Sequence, residues 1–128
     1  MNNGFTRQVE KNDLFVTRDD RNAFISKTFP EFLVKKIVTI GVGGKKHFQK
    51  YLDSDVEYFE IDIEGDPDFK LNLERELPLN FKDDEFDTVI CTEVLEHLDN
   101  FHEVFHELLR IGKNIIISLP NPINDSLN

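Results

Sequence analysis

The chain has 128 residues, 39% hydrophobic and 31% charged, with twelve Phe and no Trp. That length and balance fit one globular domain with a modest core of Phe, Leu, Ile and Val, and exclude a multidomain or disordered chain. The formal charge of −10 argues against nucleic acid as a partner, because phosphate binding needs clustered Lys and Arg that release counterions.

From the start, Met1 to Glu10 shows no charged-then-apolar leader pattern, and the single cysteine, Cys91, has no partner for an internal disulfide. A reducing cytoplasmic setting is the expectation. Thr17 followed by Asp20 makes a capping-box start, and Phe24, Ile25, Thr28 and Phe29 recur at helical spacing up to Pro30, which predicts a helix from about Arg18 to Phe29. Ile37-Val38-Thr39-Ile40 is short, β-branched and stopped by Gly41, so it reads as a buried strand entering the loop Gly41-Val42-Gly43-Gly44. A short helix with Phe48 and Leu52 turned inward is expected next.

Val56 to Ile61 predicts a second strand, ending at Asp62, and Phe69 to Leu71 a short third. This region is acidic: between Lys50 and Lys70 stand eight Asp or Glu and no basic residue, a pattern that most simply makes a solvated face. Asp84 to Thr92 holds the continuous apolar run Val89-Ile90-Cys91, as expected of a strand covered on both faces. Asn100 as N-cap with Glu103 three positions on predicts a helix whose apolar stripe is Phe101, Val104, Phe105, Leu108 and Leu109, ended by Gly112. Ile115-Ile116-Ile117 is a fifth strand. No apolar run approaches the roughly twenty residues that cross a bilayer.

Apolar strands alternating with helices predict an α/β fold, a parallel sheet with helices on both faces, and ligands bind such sheets beyond the carboxyl ends of the strands. Four features fall there. The glycines of the loop let backbone turn sharply and approach a ligand. Asp62 offers a carboxylate to the two hydroxyls of a ribose. Asn72 and Leu73 follow the third strand, where a side-chain carbonyl and a backbone N–H suit an adenine edge. Thr92-Glu93-Val94-Leu95-Glu96-His97 brings carboxylates and an imidazole to the end of the fourth strand. Each feature alone also has a plainer structural reading, as a tight turn or a surface charge.

At these residues the chain resembles the class I S-adenosylmethionine-dependent methyltransferases. The resemblance rests on Val38-Thr39-Ile40-Gly41-Val42-Gly43, on Glu60-Ile61-Asp62, on Leu77-Pro78-Leu79, on Phe86 to Leu98, and on Ile117-Ser118-Leu119-Pro120-Asn121. It implies a Rossmann-like three-layer sandwich with strand order 3-2-1-4-5, lacking the antiparallel pair that usually closes the family's sheet. It implies S-adenosyl-L-methionine as cofactor. Gly41, Gly43 and Gly44 are expected at its methionine part, Asp62 at the ribose, Asn72 and Leu73 at the adenine, and Thr92 and Glu93 beside the sulfonium. Within residues 1–128 it divides the domain into an N-terminal helical segment (1–36), a cofactor-binding core (37–121) and a tail (122–128).

The chain departs from the family at Thr39, where an acidic residue is usual, at Lys45, where a third glycine is usual, and at Asn72, commonly Asp. Methyl transfer needs alignment more than covalent help. If a general base acts, His97 is the candidate, its ordinary pKa being near neutrality; a histidine bonded to backbone behind the fourth strand is the plainer reading. Glu93, Glu96 and His97 also resemble a metal-binding set in some family branches, but without a further ligand in view no metal is assigned. His102-Glu103-Val104-Phe105-His106 matches H-E-x-x-H, yet neither extended zinc-protease pattern follows and the stripe turns His106 to solvent.

The expected activity is thus methyl transfer to a small-molecule, lipid or sugar acceptor. The alternatives are a non-catalytic methyltransferase-like binding or partner protein, a fragment of a longer enzyme, and a nicotinamide dehydrogenase, which needs glycine at Lys46. The fifth strand ends the sheet with an apolar edge, for which a homodimer, cover by the chain's own termini, or a longer protein is expected.

Overall fold

The computed structural model describes residues 17–41 and 46–118. The expectations for Gly43, Gly44 and Lys45, and for Pro120 and Asn121, lie outside the described residues.

Helix α1 (Arg18–Thr28) starts as its sequence dictates. The Thr17 hydroxyl accepts from the Asp20 N–H and the Asp20 carboxylate accepts from the Thr17 N–H, each at 3.1 Å, satisfying two donors that a helix start leaves open. The helix ends one residue earlier than predicted. Pro30 disfavours the helical region for its predecessor, and Phe29 sits at φ −128°, ψ 44°.

Five strands form one parallel sheet: β1 (Lys36–Ile40), β2 (Glu57–Asp62), β3 (Phe69–Lys70), β4 (Phe86–Thr92) and β5 (Gly112–Ser118). Their order is 3-2-1-4-5, as the resemblance implied. Side chains alternate between the faces of a strand, and both faces here are apolar. Val38, Ile40, Ile61, Val89 and Cys91 pack with Val104, Leu108 and Ile111 of helix α2 (Phe101–Ile111). Ile37, Ile90 and Ile116 pack on the opposite side with Ile25 of α1, Leu33 and Phe48. Each such side chain taken from water contributes about 1.5–3 kcal/mol, and this burial selects the register. Cys91 lies in the middle of this layer, paired through its backbone position with Ile40 on one side and Ile117 on the other; burial, aided by the Glu96 charge, pushes its thiol up to about 12.

Three local expectations are corrected. The short helix after the Gly-rich loop is a single 3-10 turn, Gln49–Tyr51, and of its two expected anchors Phe48 is buried whereas Leu52 is only half-buried. Asn100 occupies the N-cap position of α2 without capping it; its side-chain amide instead donates to the Leu73 carbonyl at 3.3 Å. The inward stripe of α2 is Val104, Glu107, Leu108 and Ile111, while Phe101 is 44% exposed and Leu109 half-buried.

Glu107 is inward because it has partners. Arg110 reaches its two carboxylate oxygens at 2.7 and 2.9 Å, and the Leu79 N–H donates to it as well. The same guanidinium donates to the carbonyls of Phe81 and Leu79, so α2 is fastened to the segment that precedes β4. The Arg110 guanidinium, against the opposing effect of burial, holds the Glu107 carboxyl below its ordinary 4.5. A carboxyl depressed in the folded state stabilises fully above the unfolded value, and that contribution fades as pH falls through the folded one. Glu107→Gln is therefore expected to flatten the loss of stability as pH falls through and below 4.5, read from urea midpoints at each pH; parallel curves for both proteins would refute it.

Candidate functional site

The carboxyl ends of β1, β2 and β4 lie side by side, because Ile40 is in register with both Ile61 and Cys91. The next residues outward are Gly41, Asp62 and Thr92, followed by Glu93. Gly41 takes φ +86°, a region open to glycine at little cost. Its N–H donates to the Ile61 carbonyl at 2.9 Å. A Cβ built there would stand 2.3 Å from Val94 Cγ2 and 3.9 Å from the Thr92 carbonyl. The start of the loop is thus pressed against the β4 exit.

The far end of the loop is tied down at Lys46, whose N–H donates to a Glu60 carboxylate oxygen at 3.0 Å. Glu60 is fully buried. Tyr58 donates its hydroxyl proton to the other Glu60 oxygen at 2.6 Å, so the Thr39 hydroxyl, 2.8 Å from Tyr58, must be the donor in that contact. Burial, then the Glu60 contact, raises the Tyr58 phenol above its ordinary value. The Lys46 ammonium pairs with Asp68, whose carboxylate also accepts from the Glu60 N–H at 2.8 Å. Burial pushes Asp68 up, but Lys46 and that N–H outweigh it and hold the carboxyl below the usual range. The acid that β1 lacks at Thr39 therefore stands one strand over, at its register partner Glu60. The sequence pattern included Glu60 in Glu60-Ile61-Asp62 but assigned it no role; the available signal was a glutamate beside Ile61 in the half of β2 that is buried.

Asp62 is half-buried, and its Oδ1 accepts from the N–H groups of Ile63 and Glu64 at 2.6 and 3.2 Å. Directly beside it Ile63 is 52% exposed. The Leu71 N–H donates to the Asp62 carbonyl at 3.0 Å, which brings Asn72 and Leu73 to the same rim. The Asn72 side-chain oxygen accepts from the Glu74 N–H at 2.9 Å, retaining one lone pair for a second donor. Leu73 is buried.

Thr92 is buried at the end of β4, and Glu93 turns out of the strand at φ 54°. A non-glycine residue in that region is uncommon and stores strain that its surroundings must hold. Two contacts hold it: its N–H donates to the Ser118 carbonyl at 3.1 Å, and its carboxylate accepts from Arg21 Nη1 at 2.8 Å. Arg21 lies in the first turn of α1 and is buried. It was invisible as a site residue in the sequence. His97 is exposed, 3.7 Å from Glu96, and is not tucked against backbone behind β4. Among the described residues no three His, Cys, Asp or Glu side chains gather as a metal site; His102 and His106 are both exposed. No helix among the described residues is long and apolar enough to cross a membrane.

With this geometry in place, the chain can be set beside known proteins. A crystallised S-adenosylmethionine-dependent methyltransferase from Aquifex aeolicus superposes with a TM-score of 0.52 at 13% identity, covering 76% of this chain and 68% of that one. Together with the 3-2-1-4-5 parallel order, that decides the architecture. The fold is that of the class I methyltransferases. Residues 63–123 match the family model of the methionine biosynthesis protein MetW, a span that begins one residue after Asp62 and leaves out the Gly-rich loop. Over 50 residues the chain is 44% identical to the bifunctional methionine biosynthesis protein MetXA/MetW of Rhodopirellula baltica. That stretch is 39% of this chain and 8% of the other, so the chain spans a small part of the length of the curated relative it matches. The chain is thus similar to MetW sequences over β3 to β5.

Proposed function

We propose that the chain binds S-adenosyl-L-methionine along the rim formed by Gly41, Asp62 and Glu93 and transfers its methyl group to a small-molecule, lipid or sugar acceptor. The observation that carries this reading is the register of β1 with both neighbours, which sets those three residues at adjacent strand ends. The residues present suit the cofactor. Gly41 lets the backbone turn at φ +86° at the end of β1, and an acidic rim suits a ligand that carries a sulfonium and an ammonium.

In this reading Gly41, with Gly43 and Gly44, lies against the methionine part. Asp62 accepts from the ribose hydroxyls, its orientation fixed by the N–H groups of Ile63 and Glu64, and exposed Ile63 offers an apolar face to the base. Asn72 and Leu73 border the adenine, while Thr92 and Glu93 border the sulfonium. The cofactor supplies a methyl group already activated for transfer, so the chain's task is to align the acceptor and exclude water. His97 is the base we assign where an acceptor proton must leave, its exposure giving it access to an incoming substrate. The likeness to MetW sequences supports a place for this chemistry beside methionine biosynthesis, and residues 1–128 are read as one domain with its cofactor-binding core at 37–121.

Titration calorimetry with S-adenosylhomocysteine and with NAD tests the reading. The expected result is binding of the first and none of the second, since Lys46 stands where a dinucleotide loop needs glycine. Asp62→Ala is expected to weaken S-adenosylhomocysteine about a hundredfold, the loss of two charge-assisted hydrogen bonds. Binding of NAD alone, or unchanged affinity in Asp62→Ala, would overturn it. A second reading, a partner protein that keeps the fold without turnover, draws support from the commitment of Glu93 to Arg21; cofactor binding with no turnover on any acceptor fraction would favour it.

A further inference from the structure

We propose that Arg21 and Asn22, on the first turns of α1, form with Glu93 a recognition subsite for a carboxylate carried by a bound ligand; this rests on the methyltransferase reading above. The two residues are adjacent in sequence and both buried, at 7% and 2% exposure. Neither is satisfied. Arg21 Nε and Asn22 Nδ2 are buried nitrogen donors without a hydrogen-bond partner among the described residues. Nearly all buried polar groups in folded proteins find partners, and a guanidinium cannot shed its charge to escape the cost. The two donors stand on successive residues of α1, and Arg21 reaches the β4 exit through Glu93.

The location points the same way. Arg21 Nη1 is 2.8 Å from the Glu93 carboxylate, so the guanidinium is at the β4 exit, one residue before Val94, the side chain that abuts Gly41. Glu93 engages one nitrogen only and is itself 59% exposed. The buried Nε keeps a donor that Glu93 does not use, and the planar fork of an arginine suits a carboxylate held by two parallel bonds. Asn22 adds an uncharged donor. Glu93, held at φ 54°, balances the guanidinium charge at 2.8 Å. The carboxylate has two sources that share this chemistry, the amino-acid end of the cofactor or a carboxylate on the methyl acceptor.

Calorimetry on the full chain separates them. The probes are S-adenosylhomocysteine, which carries an amino-acid carboxylate, 5′-methylthioadenosine, which lacks it, and carbon-13 acetate followed by line broadening. If the cofactor supplies the group, Arg21→Gln weakens S-adenosylhomocysteine by about tenfold or more, Asn22→Ala by less, and 5′-methylthioadenosine is unaffected. If the acceptor supplies it, both nucleosides bind Arg21→Gln as they bind the parent. Acetate then broadens in the presence of parent protein saturated with S-adenosylhomocysteine, and does not broaden with the variant. Should Arg21→Gln not fold, Arg21→Lys, which keeps the charge but loses the fork, and Asn22→Ala carry the comparison. Unchanged affinity for both nucleosides together with unchanged acetate broadening overturns the subsite. A parent protein that binds neither nucleoside overturns the methyltransferase reading instead, and the acetate comparison then tests the subsite by itself.

Discussion

Gly41→Ala is expected to lower the unfolding free energy by about 2–4 kcal/mol and to abolish S-adenosylhomocysteine binding at any concentration the parent responds to. Two costs combine. The backbone at φ +86° is one that an alanine adopts only at about 1–2 kcal/mol. The new methyl also lands 2.3 Å from Val94 Cγ2, so either Val94 or the β1 exit must move, and the β1 exit is pinned by the Gly41–Ile61 hydrogen bond. Val94→Ala removes the obstructing methyl but leaves the dihedral cost. The double variant Gly41→Ala with Val94→Ala is therefore expected to regain about 1–2 kcal/mol relative to the sum of the singles. Urea denaturation followed by circular dichroism measures all four proteins. Equal midpoints for Gly41→Ala and the parent would mean that the loop does not leave β1 in this way.

Phe86→Ala should be costlier still, about 3–5 kcal/mol. Phe86 opens β4 at 1% exposure, within a group of four rings. Its centroid is 5.2 Å from that of Phe81 and 6.3 Å from that of Phe59, both near edge-on, and Phe69 meets Phe81 at 5.0 Å. The Lys36 ammonium sits 5.3 Å above the Phe86 ring, adding a cation–π attraction. No neighbouring backbone is free to close the gap, since Phe86 pairs with Gly112 on β5 and the preceding segment is held by Arg110. With a total stability on the order of 5–15 kcal/mol, the variant should lose about 2 M of urea midpoint for a slope near 2 kcal/mol/M. Phe86→Leu should recover more than half of it. A midpoint shift under about 0.5 M for alanine would mean that the ring cluster is not packed as described.

The order of elements was legible chiefly because β1, β4 and β5 carry the apolar runs Ile37-Val38, Val89-Ile90-Cys91 and Ile115-Ile116-Ile117, flanked by turn residues. Asp62 and Glu93 were legible as charges at strand ends, Asp62 the last residue of β2 and Glu93 the first after β4. Their surroundings were not. Arg21 and Glu93 are 72 positions apart, and no local periodicity announces a contact that depends on how α1 lies across the sheet. Glu60 could be placed beside Thr39 only once the register of β1 against β2 was known. The inward face of α2 was misassigned because a charged residue was taken as outward, whereas Arg110, three residues on, supplies Glu107 with the partner that makes burial tolerable.

The single thiol at Cys91 has a practical consequence. It sits mid-strand with a neighbour on each side, and its reactive, deprotonated form is scarce near neutrality. A thiol reagent can therefore reach it only in the moments when the sheet parts. The rate of labelling then clocks that opening, and any ligand that holds the strand ends together should slow the clock in proportion to its affinity.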